Sequence, residues 1–280
     1  AVKFEENLRR KHVFLVQSTN QPDHNLMRLM ISIDAARRAS ADEITAVIPY
    51  YGYARQDRKP GPRQPITASM IARLLESIGV DRLITMDLHV NQIEGFFYKP
   101  VDNLYARIAL APHLRNALAE PIARDNLVVI APDVGAVGRA QSYSVRLMKR
   151  ARIGVFHKNR LEPNKIHDMR LVGDVRGCAC LIVDDLADTS GTLARATDIL
   201  LDSGATEVHA AISHGVFSGQ AFETIEASRL KKVYVTDTIH QKRTSAKIEI
   251  VSVADLFAKA ISFVESGKSV SSLFADEHAP

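Results

Sequence analysis

Short apolar runs alternate along the chain with longer stretches in which apolar residues recur at helical spacing. The runs predict buried strands at 13–17, 44–48, 83–86, 127–131, 153–156, 181–183, 207–212 and 232–235. The longer stretches predict helices at 25–39, 67–78, 139–149, 192–201 and 221–227. Strands that are apolar without interruption and alternate with helices are typical of parallel sheets covered on both faces. The pattern therefore predicts an α/β fold.

The two halves of the chain resemble each other in the residues that follow their strands. One predicted strand runs into Pro49, with Gly52 three residues on, and another runs into Pro132, with Gly135 three residues on. Ligands of open α/β sheets bind at the carboxyl ends of the strands, so each half is predicted to carry ligand-binding residues there. We expect an N-terminal domain, a C-terminal domain and a tail that packs back on the N-terminal domain, at 1–104, 105–266 and 267–280.

The composition is that of a soluble globular protein and disfavours several functional classes. Of the 280 residues, 46% are apolar and 24% charged, so disorder is excluded as the main state. The net charge is only +4, no block of five like charges occurs, and Trp is absent, which disfavours nucleic-acid binding. No apolar run approaches the ~18 residues of a membrane span. Cys178 and Cys180 are predicted to be buried in a strand, and such sparse cysteine usage suits a reducing, cytoplasmic compartment.

The strongest local signal is the string LIVDDLADTSGT, which ends at Thr192. A buried strand ends in Asp184 and Asp185, and a polar turn then opens a helix. Free amide groups at a helix N-terminus favour phosphate, and the hydroxyl groups of Thr189, Ser190 and Thr192 add donors. Vicinal carboxylates beside such a turn suit a sugar diol or hydrated Mg²⁺. An ordinary helix cap would explain one of these polar residues, but not the whole run.

This string resembles the 5-phosphoribosyl-1-diphosphate (PRPP) motif of the phosphoribosyltransferase-like fold. Other strings, in order and at similar spacing over nearly the whole chain, resemble one family with that fold, ribose-phosphate diphosphokinase (PRPP synthetase). They are PYYGYARQDRK from Pro49, ITMDLHVNQIEGFF from Ile84, APDVGAVGRA from Ala131, HKNR from His157, SHGVFSG from Ser213 and VTDTI from Val235. The resemblance implies two similar phosphoribosyltransferase-like domains, each a mostly parallel sheet flanked by helices.

The resemblance also implies an activity, the transfer of the β,γ-diphosphoryl group of ATP to the C1 hydroxyl of ribose 5-phosphate. The products would be AMP and PRPP, a precursor in nucleotide biosynthesis. The C-terminal domain would hold ribose 5-phosphate through Asp184, Asp185, Asp188, Thr189, Ser190, Gly191 and Thr192. The N-terminal domain would hold ATP through Arg55, Gln56, Lys59 and Asp102, although a structural role suits Asp102 about equally well.

Further residues resemble the family's metal ligands and its mobile catalytic loop. His89 and Asp133 would bind Mg²⁺, with a catalytic role for His89, although a lone His is more often structural. Lys158 and Arg160 would contact the transferring group, although without the family match an exposed basic loop is the simpler interpretation. The family also implies a homo-oligomer, a hexamer built from dimers, and a phosphate or ADP effector near the string SVSSLF at 269–274.

The chain departs from the family pattern at several positions. Ala136 stands where a glycine is usual and could crowd a close approach of the backbone, and Pro60, Met70 and His240 are also unusual. None of the four is a residue with an assigned chemical role. The family has further strands before a segment like KFEENLRRKHVFLVQS, with adenine contacts among them. We therefore expect the chain to lack the family's N-terminal segment.

Two other functions compete with the enzyme. A non-catalytic PRPP synthetase-associated subunit would regulate active subunits, but His89, Asp133, Lys158 and Arg160 are all present, which favours catalysis. A phosphoribosyltransferase acting on a nucleobase would share the string at 184–192, but it would not need YARQDRK or two similar halves.

Overall fold

A computed structural model of the chain describes residues 2–148, 152–159 and 168–277, with the side chains of 158, 159, 168 and 275–277 left out. In chain order the elements are β1 (His12–Val16), α1 (His24–Arg38), β2 (Glu43–Ile48), α2 (Thr67–Ser77), β3 (Arg82–Met86), β4 (Val101–Leu104), α3 (Arg107–Ala117), α4 (Ala119–Ala123), β5 (Leu127–Ala131), α5 (Val137–Leu147), β6 (Ile153–Asn159), β7 (Asp168–Val172), β8 (Ala179–Ala187), α6 (Gly191–Asp202), β9 (Glu207–Gly215), α7 (Ala221–Ala227), β10 (Lys232–Thr236), β11 (Ile248–Val251) and α8 (Ala254–Glu265). Three 3₁₀ segments lie at Asn91–Phe96, Val134–Ala136 and Val270–Glu277.

The chain divides into two compact units. Unit 1 comprises residues 1–106 together with 254–280, and unit 2 comprises residues 107–253. The first boundary lies two residues beyond the expected one. The second differs more, because α8 belongs to unit 1 although 105–266 was expected to form the C-terminal domain. Two contacts within unit 1 hold this C-terminal part: His12 Nδ1 lies 3.0 Å from Glu265 Oε2, and the rings of Tyr105 and Phe274 are 5.2 Å apart.

Unit 1 is built on a parallel sheet with the strand order β1-β2-β3-β4. Residues 44–48 of β2 are all buried, as expected for a strand covered on both faces. Helix α2 buries Ala68, Ile71, Ala72 and Leu75, which share one side at helical spacing. Gly79 ends this helix at φ +110°, a conformation that costs glycine little. The amphipathic pattern therefore packs the helix against the sheet and the glycine returns the chain into β3.

Unit 2 is built on a larger sheet with the strand order β11-β10-β9-β8-β5-β6-β7. Every neighbouring pair is parallel except β6 and β7, which are antiparallel. Strands β5 and β8 are adjacent, with Leu127 opposite Ala179. Because parallel strands end at the same edge, the residues that follow β5 and those that end β8 lie together. The α/β fold class with mostly parallel sheets is thereby confirmed.

The predicted strands and helices are all present in the described part of the chain, and β6, β8 and β9 extend beyond their predicted runs by three residues or more. The run predicted at 181–183 lies inside β8, which covers nine residues and includes Asp184 and Asp185. Cys180 lies in the same strand and Cys178 directly precedes it, and both are free and buried. Over the part of the chain that the structure describes, no helix combines the length and apolar character needed to cross a bilayer.

Candidate active site

The turn between β8 and α6 forms an anion-binding shape in unit 2. Ser190 precedes the helix in the left-handed region, at φ 62° and ψ 2°, and accepts a hydrogen bond from Ala194 N through its carbonyl oxygen. Its hydroxyl is buried without a hydrogen-bond partner among the described residues. A Cβ added to Gly191 would meet no atom within 4 Å, so the space beside it is open. A helix start with spare donors and open space favours phosphate.

Two carboxylates precede this turn at the end of β8. Asp185 is buried, at 6% exposure, and its amide donates to Asp184 Oδ1 over 2.9 Å. Arg139 of α5 donates through Nη1 to Asp185 Oδ1 at 3.2 Å and lies 3.5 Å from Asp184 Oδ1. A guanidinium therefore sits against both carboxylates and offsets part of their mutual repulsion.

The protonation of Asp184 reflects this crowding. Burial raises the pKa of Asp184 well above its usual value, and the negative charge of Asp185 raises it further. Arg139 opposes the rise, whereas the charge of Asp133 adds to it. The ionised form of Asp184 is therefore destabilised as long as no ligand is bound. A cation or a sugar hydroxyl placed against the carboxylate oxygens of Asp184 would stabilise its charged form.

Asp133 follows β5, the neighbour of β8. Its carboxylate accepts from Ala136 N at 3.2 Å and caps the short 3₁₀ segment Val134–Ala136. Ala136 has φ −87°, which is ordinary for a residue with a side chain, so the alanine is accommodated without backbone strain. Asp133 takes part in further interactions within the protein. The carboxylate is thus fixed at the same edge as Asp184.

The residues predicted to bind ATP lie in unit 1, mostly in the segment after β2. Arg55 and Lys59 are exposed there. Gln56 is tied to the start of α2: its side-chain oxygen accepts from the Thr67 hydroxyl and its carbonyl oxygen accepts from Ala68 N. Gln56 therefore has a structural role at a helix N-terminus whatever it binds.

Asp102 is partly buried in an ion pair, whereas His89 is exposed. The Asp102 carboxylate accepts from Arg82 Nη1 at 2.7 Å, and Arg82 is the first residue of β3. This partly buried ion pair supports the structural interpretation of Asp102. His89 is exposed three residues after the end of β3, at the carboxyl side of the sheet, and has interactions within the protein.

Two of the predicted catalytic residues lie partly or wholly outside the described part of the chain. Lys158 lies in β6 with its side chain outside the described residues, and Arg160 lies outside them altogether. Sequence reasoning gave no role to Arg139 or to Ser218, whose hydroxyl donates to Asp188 Oδ1. Both belong to strings that resemble the family, but nothing in those strings tells which carboxylate they contact.

The donor set fits a hard divalent cation that takes few protein ligands. Within the described ranges, no three His, Cys, Asp or Glu side chains converge as a metal cage. Asp133 and Asp184 instead offer carboxylate oxygens beside the open turn, and the charges of Asp185 and Asp133 add to the effect of burial in raising the pKa of Asp184. Mg²⁺ commonly binds through one or two carboxylates, with water and substrate phosphate as its other ligands.

The parallel sheets and the strand–turn–helix geometry define the chain as an α/β protein, a class whose ligands bind at the carboxyl ends of the strands. A family model described as the N-terminal domain of ribose phosphate pyrophosphokinase matches residues 1–79. A second, described as the phosphoribosyl synthetase-associated domain, matches residues 159–275. The chain belongs to the ribose-phosphate pyrophosphokinase family. Part of the family's N-terminal domain is therefore matched at 1–79, whereas the sequence was expected to lack the family's N-terminal segment.

Individual relatives agree with this assignment. The chain is 48% identical over 274 residues to a ribose-phosphate pyrophosphokinase of Porphyromonas gingivalis, covering 98% of this chain and 86% of the relative. It is 44% identical over 281 residues to ribose-phosphate pyrophosphokinase A of Dictyostelium discoideum, covering 99% and 86%. The crystal structure of phosphoribosylpyrophosphate synthetase from Mycobacterium smegmatis is similar, with a TM-score of 0.86, 37% identity, and coverage of 95% of this chain and 86% of that one.

Proposed function

We propose that the protein transfers the β,γ-diphosphoryl group of ATP to the C1 hydroxyl of ribose 5-phosphate. A bond forms between the C1 oxygen and the β-phosphorus, and the bond from that phosphorus to the oxygen bridging it to the α-phosphorus breaks. AMP leaves with the bridging oxygen, and the hydroxyl proton passes to solvent. The product is PRPP. The relatives bear the enzyme's name rather than that of an associated regulatory subunit, which supports catalysis.

The observation that carries this proposal is the turn between β8 and α6. A buried hydroxyl without a partner at Ser190 and open space at Gly191 leave donors for an anion of phosphate size. The ribose hydroxyls would donate to Asp184 and Asp185 on the preceding strand. The other proposed ribose 5-phosphate contacts are Asp188, Thr189 and Thr192.

The proposed contacts to ATP all lie in unit 1, and two of them are exposed cations. Arg55 and Lys59 would bind the phosphate chain, since Arg offers a fork of donors and Lys a compact charge. Gln56 would contribute a polar contact beyond its bonds at the start of α2. Asp102 would have to contact ATP with a carboxylate that already accepts a hydrogen bond from Arg82.

Mg²⁺ is the proposed cofactor, with His89 and Asp133 as its protein ligands. When bound, it would neutralise the diphosphate oxygens. Lys158 and Arg160 are proposed to stabilise negative charge on the transferring group, which is the main demand that phosphoryl-type transfer places on a protein. The protein's own task is thus to orient two substrates and to supply positive charge.

Assembly and regulation are proposed from the family alone. We propose a homo-oligomer, a hexamer built from dimers, and a phosphate or ADP effector site near 269–274. A cytoplasmic location is supported by the two free, buried thiols, which suit a reducing compartment.

The direct test is AMP formation from ATP, Mg²⁺ and ribose 5-phosphate. Thr192→Ala and Asp185→Asn should each raise the KM for ribose 5-phosphate about ten-fold while changing the KM for ATP less than two-fold. Thr244→Ala, at an exposed position, is the matched control. Absence of AMP with a folded protein would instead favour a non-catalytic subunit.

A further inference from the structure

The segment that follows β9 is fastened to the end of β8, next to the phosphate-binding turn. The amides of Val216 and Phe217 both donate to the Ala187 carbonyl oxygen, at 2.9 and 3.1 Å. The Phe217 ring is buried and lies 5.4 Å from the ring of Phe222. Gly215 permits this arrangement, because a Cβ there would lie 2.6 Å from the Phe217 ring. The segment therefore has a fixed place beside the residue that precedes Asp188.

Ser218 extends from this fixed segment to the turn. Its hydroxyl donates to Asp188 Oδ1. An aspartate at the start of a turn can otherwise accept from amides two or three residues further on. Those are the amides at 190 and 191, which a bound phosphate would need. Within the described residues, the Ser190 side chain does not cap the helix. Asp188 takes part in further interactions within the protein. A carboxylate that accepted from these two amides would be the nearest competitor of the substrate's phosphate.

We infer that Ser218 is a positioning residue for the ribose 5-phosphate site. It holds the Asp188 carboxylate in one orientation, so that the amides of the turn stay available to the 5-phosphate. The inference rests on the proposed function, since it assigns the turn to that substrate. Ser218 touches Asp188 and acts through it.

The test compares Ser218→Ala with Ser218→Thr, which keeps the hydroxyl, and with Ser245→Ala as the control. Ser245 also donates to a carboxylate, that of Glu226, at an exposed site in unit 2. Ribose 5-phosphate binding is measured by calorimetry with a non-transferable ATP analogue present. Ser218→Ala should weaken binding about five-fold and raise the KM for ribose 5-phosphate similarly. Ser218→Thr and Ser245→Ala should stay within two-fold of wild type, as should the KM for ATP in every variant.

A double-mutant cycle with Asp188→Ala separates positioning from direct contact. If Ser218 acts through the carboxylate, Ser218→Ala has no further effect once Asp188 is alanine. Equal five-fold losses in both backgrounds would overturn the inference, because Ser218 would then contact the ligand itself. Unchanged binding in the single variant, or loss in Ser245→Ala as well, would also overturn it.

The two proposals fail in different ways. Wild-type protein that binds ribose 5-phosphate but forms no AMP refutes the proposed catalysis, and the binding data still decide the role of Ser218. Wild-type protein that forms AMP while Ser218→Ala binds normally refutes only the positioning role. Wild-type protein that binds no ribose 5-phosphate overturns both.

Discussion

The Arg139 guanidinium and the Asp185 carboxylate form a hydrogen-bonded ion pair between α5 and β8, with Nη1 and Oδ1 3.2 Å apart. The Asp185 side chain is 9% exposed and the Arg139 side chain 20% exposed. Each member of such a shielded pair depends on the other, because removing one leaves an uncompensated charge away from water.

Replacing Arg139 by Gln should lower the free energy of unfolding by about 3 kcal/mol. Urea denaturation at pH 7 measures this loss. The control is Arg176→Gln, which breaks an exposed pair with Asp174 and should leave the free energy of unfolding almost unchanged. Equal losses in the two variants would show that the Arg139 pair is no more valuable than a surface contact.

Asp184→Asn should stabilise the protein at neutral pH while weakening ribose 5-phosphate binding. Burial, above all, raises the pKa of Asp184 in the folded state well above its ordinary 3.8. Stability from the protonated group is present below that value and lost as the pH rises through the raised pKa. Removing the charge should raise Tm by about 2–4 °C at pH 7.5 and by less at pH 5, in metal-free buffer. A gain independent of pH would point to packing instead.

Replacing His209 by Phe should reduce the loss of unfolding free energy that occurs when the pH falls. Burial lowers the pKa of His209 from 6.5, and Glu207 only partly opposes this. The neutral ring therefore contributes stability above pH 6.5, which is lost as the pH falls through the lowered pKa. Phe keeps the stacked contact with Tyr234 and removes the titration. Unfolding free energies at pH 7.5 and 5.5 should differ by about 1 kcal/mol less than in wild type. His240→Gln, at an exposed position, should leave the wild-type difference unchanged.

Gln56→Ala and Lys59→Ala should affect different quantities. Gln56→Ala removes an acceptor at the start of α2 and should cost about 1 kcal/mol of unfolding free energy. Lys59→Ala should leave Tm within 1 °C and raise the KM for ATP. Thermal melts and ATP kinetics on both variants check this. An unchanged KM for ATP in Lys59→Ala would remove Lys59 from the proposed ATP site.

Lys158→Ala should reduce kcat by about 10²–10³ while altering the KM for ribose 5-phosphate far less. The reason is its proposed role in stabilising the transferring group rather than the bound sugar. Lys259→Ala, on the exposed side of α8, is the control for loss of a positive charge. An unaltered kcat in Lys158→Ala would contradict its catalytic assignment.

The parts of the fold predicted from sequence are those encoded by neighbouring residues. The unbroken run in β8 and the polar string after it predict a strand, a turn and a helix start without knowledge of anything else. Strands β4 and β11 gave weaker signals, because β4 contains Asp102 and Asn103 and β11 is only partly buried. Helix α8 was not predicted, although its buried residues recur at helical spacing and would have supported a helix there.

The contacts that orient the site could not be predicted in this way. Arg139 and Asp185 are 46 positions apart, and Ser218 and Asp188 are 30 apart. Strand order brings each pair together, and local patterns do not encode strand order. For Asp102, the sequence suited a ligand contact and a structural role about equally well, and only the fold shows that its carboxylate accepts from Arg82.

The return of α8 and the residues after it to unit 1 bears on the order in which the protein is made and folded. Unit 2 is continuous in sequence from residue 107 to residue 253, so a ribosome delivers all of it before Glu265, the partner of His12, has been synthesised. Domains usually fold as units during synthesis, with the N-terminal one first. Here unit 1 is completed only after unit 2 has been synthesised. Strand β1 therefore gains its contact between His12 and Glu265 of α8 after the whole of unit 2 has been made.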